Sequence, residues 1–259
     1  LSAPDPSINY QKAIKLRQAN TGLWFLQSDL YRKWKAEALP VWLYGIPGCG
    51  KTVLSSIVLE NILQYTKDDP GTAVAYFYFD FSDEQKKDPN MMVRSLICQL
   101  LQQSIKIPSD LNMLYISCDN GQRQPSPNTL FKILQQMIED FPQTYIVVDA
   151  LDESAERKEL MKIVKETLGW QFQGLHILLT SRKEGDIMRT LERHINQQNI
   201  ICIQTKEVDQ DIQMYVHQRL SEDENLLKWR DDVRPRIESS LMKGAHGMYV
   251  LSRPRTYYG

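Results

Sequence analysis

The order of apolar and polar positions divides the chain into short, unbroken apolar runs and longer stretches with helical spacing. Residues 41–44, 72–81, 145–148, 176–180 and 200–203 are runs of β-forming side chains of strand length, each bounded by polar or turn residues. They predict strands near 41–45, 73–80, 144–149, 175–180 and 200–204. Between them apolar residues recur every three or four positions, as in Val53, Leu54, Ile57 and Val58, in Met92, Leu96, Ile97, Leu100 and Leu101, and in Leu130, Phe131, Leu134, Met137 and Ile138. Further helices are expected at 8–19, across 23–34 and at 110–117, 156–170 and 186–193. Asp88-Pro89 and Ser126-Pro127 supply a capping side chain followed by a proline at the first helical position, where no backbone donor is needed. Strands alternating with helices imply an α/β fold around a mainly parallel sheet. From Val208 onward only helical spacing remains. Val208, Ile212, Tyr215, Val216 and Leu220 share one face, Leu226 and Leu227 open a second segment, and Val233, Ile237, Leu241 and Met242 mark a third. This is a small helical subdomain.

The first strand runs into Gly45-Ile46-Pro47-Gly48-Cys49-Gly50-Lys51-Thr52. The spacing Gly45-x4-Gly50-Lys51-Thr52 between a strand and a helix fits a phosphate-binding P-loop. Glycines let backbone N–H groups approach a cluster of negative oxygens, and the following helix directs its positive end at them. Lys51 is placed to reach the β and γ phosphates, and the Thr52 hydroxyl to bind Mg²⁺. Cys49 admits two readings: a small residue at a tolerant position, or a thiol whose pKa is depressed by the helix end and Lys51, open to oxidation that would block phosphate.

The third strand ends Val147-Val148-Asp149-Ala150-Leu151-Asp152-Glu153. In a parallel sheet the carboxyl ends of the strands open onto the ligand crevice, so Asp149 is placed to hold the water shell of Mg²⁺. Asp152 and Glu153 lie close enough to orient an attacking water, and either can be the base. Thr180-Ser181-Arg182 ends the next strand pointing the same way; Arg182 reads as a γ-phosphate sensor or as the partner of a surface carboxylate. Thr21, in the break Asn20-Thr21-Gly22 ahead of the P-loop strand, is a candidate contact for the nucleotide base or a helix cap. The long gap between the second and third strands places this P-loop domain in the branch whose sheet order is 5-1-4-3-2, a three-layer sandwich.

Composition narrows the field. The 259 residues are 42% hydrophobic and 24% charged with a net charge of −1 and no long basic block, which argues against a nucleic-acid groove. No apolar run approaches the roughly 18 residues that span a bilayer, and no signal peptide is visible. The four cysteines and four histidines are scattered without metal spacing, which fits a reduced, cytoplasmic setting. No Asn-Lys-x-Asp guanine reader occurs, so ATP is preferred over GTP.

Thr21-Gly22-x-Trp24, the P-loop, Tyr76-Phe77-Tyr78-Phe79-Asp80, Asp149-Ala150-Leu151-Asp152-Glu153 and Leu179-Thr180-Ser181-Arg182 occur in this order. Over residues 17–249 the sequence resembles the NACHT-type NTPase domain of fungal signalling proteins, in the nephrocystin-like subtype found ahead of ankyrin or WD repeats. The resemblance implies an oligomerising ATPase switch of the NOD-like class, closed with ADP and open with ATP. It matches Lys51 and Thr52 to the P-loop pair, Asp149 to the Mg²⁺ acid, Asp152 and Glu153 to the catalytic acids, and Arg182 to the first sensor. Where the family continues Gly-Met-Phe into further helical and winged-helix parts, this chain has Gly247-Met248-Tyr249 and ends at Gly259. It is therefore expected to be a piece of a longer protein with a downstream repeat domain, organised as a helical lead-in (1–36), an NTPase core (37–206) and the start of a helical subdomain (207–259). The leading expectation is a slow regulatory ATPase that self-associates. Its rivals are a non-enzymatic module holding structural ADP and a DNA-handling initiator ATPase.

Overall fold

The strand that leads into the phosphate loop, β1 (Pro40–Tyr44), is flanked on both sides within a parallel sheet. The computed structural model describes residues 2–18, 20–105, 108–170, 172–204, 206–222 and 233–245. In chain order these form α1 (Ser7–Leu16), α2 (Leu23–Leu26), α3 (Asp29–Ala36), β1, α4 (Lys51–Tyr65), β2 (Thr72–Tyr78), α5 (Pro89–Gln103), α6 (Ser109–Ser117), α7 (Pro127–Glu139), β3 (Gln143–Asp149), α8 (Arg157–Leu168), β4 (Leu175–Ser181), α9 (Gly185–Leu191), β5 (Ile200–Cys202), α10 (Lys206–Glu222) and α11 (Arg234–Ala245). The sheet order is β2-β3-β4-β1-β5, with every pairing parallel. This is the expected order read from the other edge. β4 lies between β1 and β3, with Leu43 opposite Thr180 and Val148 opposite Leu179. The register brings the ends of β1, β3 and β4 to one rim.

Both faces of the sheet are covered, which is why its strands are continuously apolar rather than alternating. Trp42, Ala75, Phe77, Ile146 and Leu179 face α5, α7, α8 and α9. Val41, Leu43, Tyr145, Val147 and Leu178 face α3, α4 and α10. The buried indoles are satisfied: Trp42 Nε1 donates to Ser181 Oγ at 2.9 Å and Trp34 Nε1 to the Ile177 carbonyl at 3.1 Å. Asp88 and Ser126 cap α5 and α7 as the sequence indicates, accepting from the N–H groups of Asn90 and Thr129.

Two details differ from the sequence reading. The helix expected across 23–34 is two helices, because the Ser28 side chain accepts from Tyr31 N and starts α3 afresh. In α1 only Ala13 is buried, while Ile8 and Leu16 are exposed. The segment opened by Leu226 and Leu227, the Gly247-Met248-Tyr249 sequence and the C-terminal residues after it lie outside the described residues. Among the described residues no helix is long and apolar enough to cross a membrane.

Candidate functional site

The phosphate loop turns through Gly48 (φ 73°) and Gly50 (φ 89°), both in the left-handed region that a side chain disfavours. Gly45 is required for space. A Cβ there would sit 2.6 Å from Cys49 Sγ. Lys51 Nζ lies over the loop and donates to the carbonyls of Gly45 and Ile46, each at 2.9 Å.

Cys49 corrects one expectation. It is 1% exposed, and burial pushes its thiol up, outweighing the opposing influence of Lys51 and the loop N–H groups. A depressed pKa needs access to solvent as well as positive potential, so the reactive-thiolate reading fails and the small, packed residue remains.

Asp149, at the end of β3, is fully held by hydroxyl groups. Its carboxylate accepts hydrogen bonds from Thr52 Oγ1 (2.7 Å), Ser55 Oγ (2.8 Å) and Thr180 Oγ1 (2.6 Å). Burial raises its pKa, and these three hydroxyls pull it back down. Ala150 follows with φ 58°, a left-handed conformation that costs a non-glycine residue roughly 1–2 kcal/mol. Its N–H donates to Thr180 Oγ1 at 2.9 Å, and the bend turns Leu151–Glu153 into a single 3-10 turn at the sheet rim.

That turn separates the two remaining acids. Asp152 is clamped by Arg182, whose backbone N–H donates to Oδ1 at 2.8 Å and whose Nε reaches Oδ2 at 3.0 Å; the Asp152 side chain is 5% exposed. Among the described residues Glu153 accepts a single hydrogen bond, from the Phe81 N–H at 3.2 Å. Burial raises its pKa, and the nearby carboxylates of Asp152, Asp149 and Asp80 raise it further.

These groups line one cavity of about 250 Å³ together with Thr21, Gly22, Trp24, Ile203, Val208, Asp211 and Tyr215. It gathers Thr21, Lys51, Thr52, Asp152, Glu153 and Arg182 from the sequence-derived set, and Asp149 lies directly behind Thr52. Thr21 caps no helix; its hydroxyl donates to the Gln18 carbonyl at 2.8 Å. The sequence reading missed Ser55 and Thr180 as holders of Asp149, and missed Asp211. From α10, Asp211 accepts the Gly22 N–H at 2.7 Å, and Trp24 donates to it as well. A charged residue inside the apolar face formed by Val208, Ile212 and Tyr215 was the available signal.

Among the described residues no group of three or more His, Cys, Asp or Glu could hold a metal unaided. Mg²⁺ needs only one or two protein oxygens when phosphates and waters complete its shell, and the Thr52 hydroxyl with Asp149 is such a donor pair.

A five-stranded parallel sheet with β4 beside the phosphate-loop strand, and a glycine loop aimed into a cavity rimmed by acids, define the P-loop NTPase fold. Residues 20–182 match the family described as nephrocystin 3, N-terminal, and the chain belongs to that family. No curated protein matches the sequence. Among solved structures the chain is similar in fold to the Aeropyrum pernix ORC1 protein in complex with DNA, with a TM-score of 0.56 at 13% identity over 97% of this chain and 58% of that one. It is also similar to Drosophila ORC bound to DNA, with a TM-score of 0.53 at 14% identity over 97% of this chain and 60% of that one. The chain thus spans about three-fifths of the length of either.

Proposed function

We propose that the domain is an ATP-binding regulatory NTPase, a NACHT-like switch of the NOD-like class whose slow, Mg²⁺-dependent hydrolysis of ATP controls self-association. The observation that carries this reading is the Thr52–Asp149 bond at the phosphate loop, with a second acid, Glu153, left lightly bonded on the same cavity. Lys51 exchanges the Gly45 and Ile46 carbonyls for the β and γ oxygens. Glu153, with its raised pKa, accepts the proton of the attacking water. Thr52 and Asp149 would hold Mg²⁺, which would supply charge neutralisation at the phosphate oxygens. Arg182, held to Asp152 by its backbone N–H and Nε, keeps its terminal guanidinium nitrogens for the γ-phosphate and couples that contact to Asp152. In the parent protein the domain acts beside a downstream repeat domain in the cytoplasm.

The same clamp favours a second reading, a non-hydrolysing module that holds ADP as a structural group. Phosphate release from the purified chain with Mg-ATP separates the two. Slow turnover that EDTA abolishes supports the switch. No turnover, with ADP recovered from the denatured protein, supports the module. The similar solved structures contain DNA, whereas this chain has a net charge of −1; a salt-dependent DNA mobility shift would revive the initiator reading.

A further inference from the structure

Helix α5 carries a buried cation without a counter-charge among the described residues. Arg94 is 8% exposed, and its Nε lacks a hydrogen-bond partner. Among the described residues no carboxylate forms an ion pair with it. Removing a guanidinium from water without a partner is costly, and buried charges are otherwise paired. Water can satisfy the N–H groups but cannot neutralise the charge.

Arg94 lines a cavity of about 520 Å³ between α5, α6 and the loop that follows α6, within the 300–1,000 Å³ range typical of small-molecule sites. Leu101, Leu111, Leu114 and Tyr115 supply apolar walls. The other cation on the cavity, Arg123, is already paired with Asp119 at 2.7 Å. One uncompensated positive charge therefore faces an apolar chamber. The cavity shares no lining residue with the nucleotide site.

We propose that this cavity is a second ligand site, taking a carboxylate carried on an apolar body. The carboxylate pairs with the Arg94 guanidinium, whose planar fork matches two oxygens at once, and the body lies against Leu101, Leu111 and Leu114. A bare inorganic anion gains nothing from the walls, and an uncharged alcohol leaves Arg94 unneutralised.

The test is calorimetric titration of the full chain with octanoate, with octanol as the tail without the charge and inorganic phosphate as the charge without the tail. Octanoate is expected to bind at least tenfold more tightly than either. Arg94→Met keeps an apolar stem while removing the charge, and is expected to weaken octanoate about tenfold or more without lowering the denaturant midpoint. Equal octanoate affinity in Arg94→Met and the unmodified protein, or no octanoate binding by the latter, overturns the proposal. Should Arg94→Met fail to fold, Leu114→Trp fills the cavity from α6; loss of octanoate binding supports the site and full retention overturns it. Fluorescent-ADP affinity is unchanged in the folded variants, so failure here is distinguishable from failure of the nucleotide reading.

Discussion

At one end of the nucleotide cavity, side chains come from strand termini and the first turn of α4, each beside a glycine-rich or acidic motif. At the other end Gly22, Trp24 and Asp211 meet across a separation of 189 positions. The first end is positioned by local backbone geometry: the left-handed glycines, the bend at Ala150 and the shared rim of β1, β3 and β4. The second exists only because the lead-in segment and α10 pack together on the same sheet face. Substitutions at the first end should therefore change chemistry while sparing the fold, and those at the second should change stability.

The largest expected effect is on turnover. Glu153→Gln should slow phosphate release by about 10²–10⁴-fold, the usual loss for a general base, with nucleotide affinity retained. Asp152→Asn should slow it less, because Asp152 is already committed to Arg182; the reverse ranking in single-turnover assays would make Asp152 the base. Next comes Lys51→Ala. Losing a charge-assisted contact of about 1.5–3 kcal/mol predicts roughly a tenfold to hundredfold loss of fluorescent-nucleotide affinity, and unchanged affinity would remove the phosphate-loop assignment.

At the opposite end, Asp211→Ala strands the buried Gly22 N–H. The expected cost is about 1–3 kcal/mol of stability, read from denaturant unfolding without nucleotide. A loss of turnover at unchanged stability would erase the contrast between the two ends.

The smallest effect is the pH dependence of the nucleotide-free fold. Burial raises the pKa of Asp149, Glu153 and Asp211 above their unfolded values, so on acidification the folded state takes up these protons before the unfolded chain does. Stability from these groups grows as pH falls through the raised values and is lost as pH rises. His176, whose pKa burial lowers, opposes this as pH falls through the ordinary histidine range, because the unfolded chain takes up that proton first. Asp5, Asp69 and Asp80 have lowered pKa values and oppose it at still lower pH. In differential scanning fluorimetry below neutral pH, the midpoint of Glu153→Gln should gain less, or lose more, on acidification than that of the unmodified protein, because the variant lacks the proton uptake of the buried carboxylate. Identical pH profiles would contradict burial as the dominant influence on Glu153.

The same division decides what the residues alone disclose. The strand positions follow from apolar runs of strand length, and the phosphate loop and the acid ending β3 from short motifs, because each is written in consecutive residues; the sheet order follows from the long gap between the second and third strands. Thr180 and Ser55 escape notice because their partner carboxylate lies 31 and 94 positions away. Asp211 also lies beyond the 20–182 span of the family match. Cys49 misleads because its loop predicts positive potential but not that Gly45 and the core seal the thiol from water. Arg94 looks like any helical arginine until the structure shows it buried and, among the described residues, without an ion-paired carboxylate.

The interior place of β1, between β4 and β5, bears on how the chain is made. Its partners are β4, starting at Leu175, and β5, starting at Ile200, whereas β2 pairs with β3. From Pro40 to Leu175 the ribosome must add 135 residues, roughly 7–27 s of synthesis at 5–20 residues per second. Throughout that interval the glycine loop is attached to a strand whose partners are not yet made, while β2 and β3 become free to pair once Asp149 is added, before β4 begins. Translation therefore assembles the outer edge of the domain first and closes the rim that carries the phosphate loop last, so a pause or premature stop before β4 yields a nascent chain that contains the phosphate-loop sequence but no scaffold to hold it.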